Sequence, residues 1–152
     1  MSQFRAACIQ NTASRDIAAN IAWVCGRIDD AVAGGAEFIA LPETVGLIEP
    51  VNAQIPAATS SETDDAGLAA FRASAAKHKV VILVGSQLIS EQGKIYNRSF
   101  LLGRGGEILA RYNKLHMFDI ELKNGESYLE SEAIAAGDTA VMVTTEWGQL
   151  GL

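Results

Sequence analysis

The chain has 152 residues, enough for one domain with its own core, and its 49% hydrophobic and 20% charged content matches globular proteins. Twelve basic against eighteen acidic residues give a net charge of -6, with Lys and Arg scattered, so no row of cations is present to neutralise nucleic-acid phosphates. No run approaches the roughly 20 apolar residues of a membrane span. The opening Met1-Ser2-Gln3-Phe4-Arg5 lacks the pattern of a secretory signal, which makes the cytoplasm the expected compartment, with Cys8 and Cys25 as free thiols.

Phe4 to Gln10 reads as a short interior strand, apolar on both faces. Ile17, Ile21, Val24, Ile28 and Val32 then recur at spacings of three and four, which predicts a helix capped by Ser14 or Asp16 and stopped at Gly34-Gly35. A second strand covers Phe38 to Leu41 and is closed by Pro42. Glu43 stands just past its carboxyl end, where open α/β sheets keep their ligand sites.

Residues 45–63 show little periodicity and read as a loop with a turn of helix. From Asp64 or Asp65, the pattern Leu68, Phe71, Arg72, Ala75 predicts a helix ending at Lys77-His78-Lys79, whose positive charges suit a helix C-terminus. Gln92-Gly93 and Gly103-Arg104-Gly105-Gly106 separate three β-like runs at 80–89, 95–102 and 107–112, a meander that makes the sheet mixed. Residues 113–138 form a long irregular stretch of the kind that often carries function. Thr139 to Thr145 closes with another strand, and Leu152 falls within what reads as a buried strand.

Several chemistries lack support. Asn11-Thr12-Ala13-Ser14 after the first strand is no glycine-rich phosphate turn, and Gly85-Ser86-Gln87 lacks the second glycine of a nucleophile elbow. Two cysteines and two histidines without ligand spacing predict no metal site. Cys8 in the first strand and Cys25 beside Ile21 and Ile28 read as small buried hydrophobes. His78 reads as helix-end punctuation, and His116 as a hydrogen-bonder that could orient the loop holding Lys114.

A carboxylate at a strand end can act as a general base, although Glu43 could equally be a solvated glutamate after a proline. Lys114 would suit the stabilisation of a thiolate and an oxyanion, or be an ordinary loop lysine. The two segments together are more specific. Ala6-Ala7-Cys8-Ile9-Gln10, Asn20, Gly35-Ala36, Leu41-Pro42-Glu43, Tyr96-Asn97, Gly103-Arg104-Gly105-Gly106-Glu107 and Tyr112-Asn113-Lys114-Leu115-His116 follow in the order seen in the nitrilase, or carbon-nitrogen hydrolase, superfamily. Lys114 to Ile120, Tyr128-Leu129-Glu130-Ser131 and Gly137-Asp138 make the chain most similar to the branch holding ω-amidase and deaminated-glutathione amidase.

The resemblance implies an α/β fold, an α-β-β-α sandwich, of which residues 1–152 form the first half of one hydrolase domain, usually dimerised. It implies a catalytic set of Glu43 as general base, Lys114 as oxyanion-stabilising lysine and Glu130 as a second glutamate beside them. It further implies a small amide substrate, no cofactor, and a reactive cysteine a few residues beyond Trp147-Gly148-Gln149-Leu150-Gly151-Leu152, so that this chain by itself is expected to be inactive. Two other readings stay open: a non-catalytic interaction module, and part of a glutaminase-type domain of a larger synthetase. Half a sandwich is also expected to expose a sheet face and an edge.

Overall fold

Asp16 accepts a hydrogen bond from the Ala19 amide at 3.0 Å, satisfying one of the free N–H groups that open α1 (Ile17–Ala33). The structure is a computed structural model describing residues 3–152. Along α1 the apolar spacing buries Val24 and Ile28 completely, and the chain leaves through Gly35 at φ +85°, a conformation that favours glycine. A 3-10 turn (Asn52–Gln54) and a single helical turn, α2 (Ile55–Ala58), occupy the expected loop. Asp65 caps α3 (Ala66–His78) by accepting from the Leu68 amide at 2.6 Å, and Lys79 ends it in the left-handed conformation. Lys77 and His78 then reach Asp29 of α1 at 2.9 and 2.5 Å, tying the two helices together at their ends.

Both helices cover one face of a five-stranded sheet. Its strands are β1 (Ala6–Cys8), β2 (Phe38–Ala40), β3 (Val81–Glu91), β4 (Lys94–Leu102) and β5 (Ile108–Asn113), in that spatial order. The first three are parallel, because a helix carries the chain across between them; the last two are antiparallel hairpin partners. The mixed sheet therefore matches the expectation from the turn signals. Gln92 and Gly93, both at positive φ, form the two-residue turn that matches the twist of the β3–β4 ribbon. Val24, Ile28, Leu68, Phe71 and Ala75 from the helices meet Ile39, Ile82, Val84, Phe100 and Leu102 from the sheet in one apolar core.

Three expectations need correction. The first strand is limited to Ala6–Cys8 and lies at the sheet edge, paired among the described residues only with β2, so Cys8 is exposed and not a core residue. Cys25, by contrast, packs against the core, with Ser74 3.8 Å from its sulfur. Residues 113–138 are not wholly irregular: β6 (Asp119–Glu121) and β7 (Ser127–Leu129) form a hairpin, followed by a 3-10 turn at Glu130–Glu132. The last segment is a separate hairpin of β8 (Met142–Thr145) and β9 (Gly148–Gly151), largely exposed, and not a buried strand. Its connecting turn presents Trp147, which stacks on Phe4 with ring centres 4.6 Å apart and meets Phe38 edge-on at 5.8 Å.

Among the described residues no helix is long and apolar enough to cross a membrane.

Candidate active site

Glu43 owes its position to a missing side chain on the neighbouring strand. A Cβ on Gly85 would run into the Leu41 carbonyl and approach Pro42 C to 2.5 Å, so glycine lets the end of β2 lie directly against β3. The β3–β4 register shifts between Val84 and Gln87, a bulge that frees Ser86 to serve the incoming loop. The Ser86 amide donates to the Pro42 carbonyl at 3.2 Å, its hydroxyl accepts from the Thr44 amide at 2.8 Å, and its carbonyl accepts from the Val45 amide at 3.1 Å. Thr44 takes a left-handed φ of +46°, so the chain reverses immediately after Glu43. Buried Gln87 holds the next turn by accepting from the Gly46 amide at 3.1 Å.

Lys114 follows β5 directly. Its backbone is pinned on both sides: the amide donates to the Asn97 carbonyl of β4 at 2.9 Å, and its carbonyl accepts from the Gly137 amide at 2.9 Å. Glu130 lies where the β6–β7 hairpin returns to the body of the protein, and its carboxylate accepts from the Phe118 amide at 2.7 Å.

These local anchors bring all three sequence-predicted residues together. The Lys114 ammonium lies 2.8 Å from Glu43 Oε1 and 2.9 Å from Glu130 Oε2. Asn97 Nδ2 donates to Glu43 Oε1 at 2.7 Å and to Glu130 Oε1 at 3.2 Å, so a neutral amide and a cation both bridge the carboxylates. Burial works against the Lys114 charge, yet hydrogen bonds to Glu43 and Glu130 and their negative charges outweigh it, and its pKa is raised above that of a free lysine. Burial likewise pulls the Glu130 carboxyl upward, but the Phe118 amide, the Lys114 ammonium and the Asn97 amide outweigh it and hold its pKa below the ordinary glutamate value.

The cluster forms one wall of a cleft of about 860 Å³. Leu47, Ile48, Val51, Ile55, Leu88 and Phe118 supply much of its apolar lining, and no cysteine lines it. The Glu43 side chain remains 58% exposed, whereas that of Glu130 is 17% exposed. A proton acceptor is thus open to the cleft, beside a held cation and a more deeply set second carboxylate. Such an arrangement can move a proton and stabilise a developing negative oxygen. His116 is exposed and makes no side-chain hydrogen bond among the described residues, so it does not orient the loop carrying Lys114. Among the described residues no group of His, Cys, Asp or Glu is arranged to hold a metal ion.

Asn97 is the residue to which the sequence reading gave no role. The signal for it was an asparagine in a strand that buries Ile95, Phe100, Leu101 and Leu102, since a buried amide demands partners. The Phe118 amide carries no such signal, because a backbone donor has no side-chain identity.

A family model described as carbon-nitrogen hydrolase matches residues 5–152. The deaminated glutathione amidase of Synechocystis sp. is 32% identical over 157 residues, an alignment taking in 100% of this chain and 57% of that protein. The omega-amidase NIT2 of Homo sapiens is 29% identical over 161 residues, covering 100% of this chain and 54% of the relative. Among solved structures, the C. elegans NitFhit protein superimposes with a TM-score of 0.85 at 27% identity, over 95% of this chain and 36% of that one. An amidase from Nesterenkonia sp. AN1 shares the fold with a TM-score of 0.81 at 24% identity, over 98% of this chain and 56% of its own. The chain spans about half the length of the curated relatives it matches.

Proposed function

This chain belongs to the carbon-nitrogen hydrolase family, and on that premise we propose that it supplies the proton-transfer and charge-stabilising side of a thiol-dependent amidase. The observation that carries this reading is the Lys114 ammonium held between Glu43 and Glu130 at 2.8 and 2.9 Å in the wall of an open cleft. The nucleophile is a cysteine thiol contributed by residues after Leu152. Glu43 takes the thiol proton while the sulfur attacks the carbonyl carbon of a small amide, and the carbonyl oxygen becomes an oxyanion facing Lys114. Collapse breaks the C–N bond, Glu43 returns the proton to the departing nitrogen, and ammonia leaves, or the free amine where the amide nitrogen is substituted. Water then attacks the thioester, gives a proton to Glu43, and the carboxylic acid departs as the thiol is restored.

The substrate class is a small amide. Omega-amidase and deaminated glutathione amidase among the relatives favour the ω-amide of a 2-oxo acid or deaminated glutathione. The intact enzyme works without a cofactor, as a cytoplasmic homodimer.

Ammonia release tests the reading. A polypeptide continued through the cysteine should hydrolyse small amides and lose that activity in Glu43→Gln and Lys114→Met. Residues 1–152 should show no turnover above background. Amide hydrolysis by residues 1–152 that disappears in Glu43→Ala would refute the assignment of the nucleophile, and full activity of a continued Glu43→Gln protein would refute the role of the carboxylate.

A further inference from the structure

Glu43 offers two oxygens to the cleft, and they are not equivalent. Oε1 accepts from both the Lys114 ammonium, at 2.8 Å, and the Asn97 amide, at 2.7 Å; Oε2 has no donor among the described residues. The orientation of the Asn97 amide follows from chemistry, because its reverse would set Oδ1 against carboxylate oxygens on two residues. An amide nitrogen carries two hydrogens, and here each goes to a different carboxylate. Asn97 is itself 3% exposed, fixed in the middle of β4 opposite Leu88 of β3, and its carbonyl receives the Lys114 backbone amide. One residue on a rigid strand therefore contacts all three members of the cluster.

We infer that Asn97 is a positioning residue: by occupying Glu43 Oε1 together with Lys114, its amide leaves Oε2 as the oxygen that exchanges protons with the attacking thiol and the leaving nitrogen. This rests on the acyl-transfer reading above. An ammonium on a flexible stem fixes distance better than direction, and a largely exposed glutamate held by it alone could rotate about its terminal torsion. The second donor, built into a strand, removes that freedom. It also lies between two negative groups that would otherwise be screened from each other by Lys114 alone.

The test uses Asn97→Leu, which keeps the volume and removes the donor, and Asn97→Asp, which places a third carboxylate there. In the continued, catalytically competent polypeptide, Asn97→Leu should lower kcat roughly ten-fold or more while KM changes by less than about two-fold. Asn97→Asp should be at least as impaired. A purely structural asparagine would lower the melting temperature and the yield of folded protein while kcat per folded molecule stayed at the wild-type value, and that result overturns the proposal. The same continued polypeptide gives a readout that needs no turnover: without substrate, the Glu130 carboxyl carbon followed by NMR through an acid titration should titrate at higher pH in Asn97→Leu. An unshifted Glu130 midpoint overturns the claim that the amide holds the carboxylates. Absence of amide hydrolysis by the continued wild-type protein, with the Glu130 shift present, would instead count against the acyl-transfer reading.

Discussion

Three donors converge on the Glu130 carboxylate, which is largely withdrawn from water. Its pKa is depressed in the folded protein, so its stabilising contribution is fully present above the ordinary glutamate value of 4.5 and is lost as pH falls through the lowered folded value. Lys114 has the opposite sign: its raised pKa contributes stability below the free-lysine value of 10.5, which is lost as pH climbs through the folded value. Glu130→Gln should therefore lower the urea midpoint most at neutral pH, and the gap to wild type should close as the solution is taken below the ordinary glutamate range. A gap that stayed constant through that range would mean that the ionised carboxylate is not what Lys114, Asn97 and Phe118 hold.

At the level of elements, the caps do more than start helices. Asp65 opens α3 by accepting from the Leu68 amide, and it also lies 3.4 Å from the Gln87 amide that steadies the loop after Glu43. Burial raises the Asp65 pKa against the lowering effect of its hydrogen bonds to Leu68, Ser60 and Gly67, so its charge costs stability once the solution rises above the ordinary aspartate value of 3.8. Asp65→Asn, which keeps an acceptor without the charge, should match or exceed wild-type stability at neutral pH, with any gain fading in acid. Asp65→Ala, which removes the cap, should cost about 1 kcal/mol. Urea unfolding at two pH values distinguishes these outcomes.

The same elements show what a sequence can and cannot disclose. Both long helices were legible from the spacing of Ile17 to Val32 and of Leu68 to Ala75, because an amphipathic face repeats locally. Gln92-Gly93 marked its hairpin for the same reason. The exposure of Cys8 was not legible: strand composition does not say whether a strand has one neighbour or two, and Ala6–Cys8 has one. Glu43 and Lys114 are 71 residues apart, and no periodicity predicts that they meet. Their pairing was accessible only through resemblance, and the Gly85 approach and the Ser86 bulge that make it geometrically possible emerge only with the sheet assembled.

For the molecule as a whole, one face of the sheet is covered by α1 and α3 while the other leaves Phe38, Ala40 and Leu83 only half-buried. β1 has one partner, and Ala6 and Cys8 are exposed along it. Met142 on the terminal hairpin is 70% exposed. Unpaired strand edges and open apolar faces favour association. Purified residues 1–152 should sediment as a concentration-dependent mixture of species; a monodisperse monomer with a sharp cooperative melt would show that they are self-sufficient.

The central claim is that Glu43, held by Lys114 and Asn97, activates a sulfur supplied from beyond Leu152. Rapid acid quenching of the continued polypeptide with a small amide, followed by mass spectrometry of its peptides, tests it most directly. We expect an acyl group on a single cysteine after Leu152, formed by the wild type and not by Glu43→Gln. Acylation of Cys8 or Cys25, or an acyl-enzyme that accumulates equally well without the Glu43 carboxylate, would contradict it.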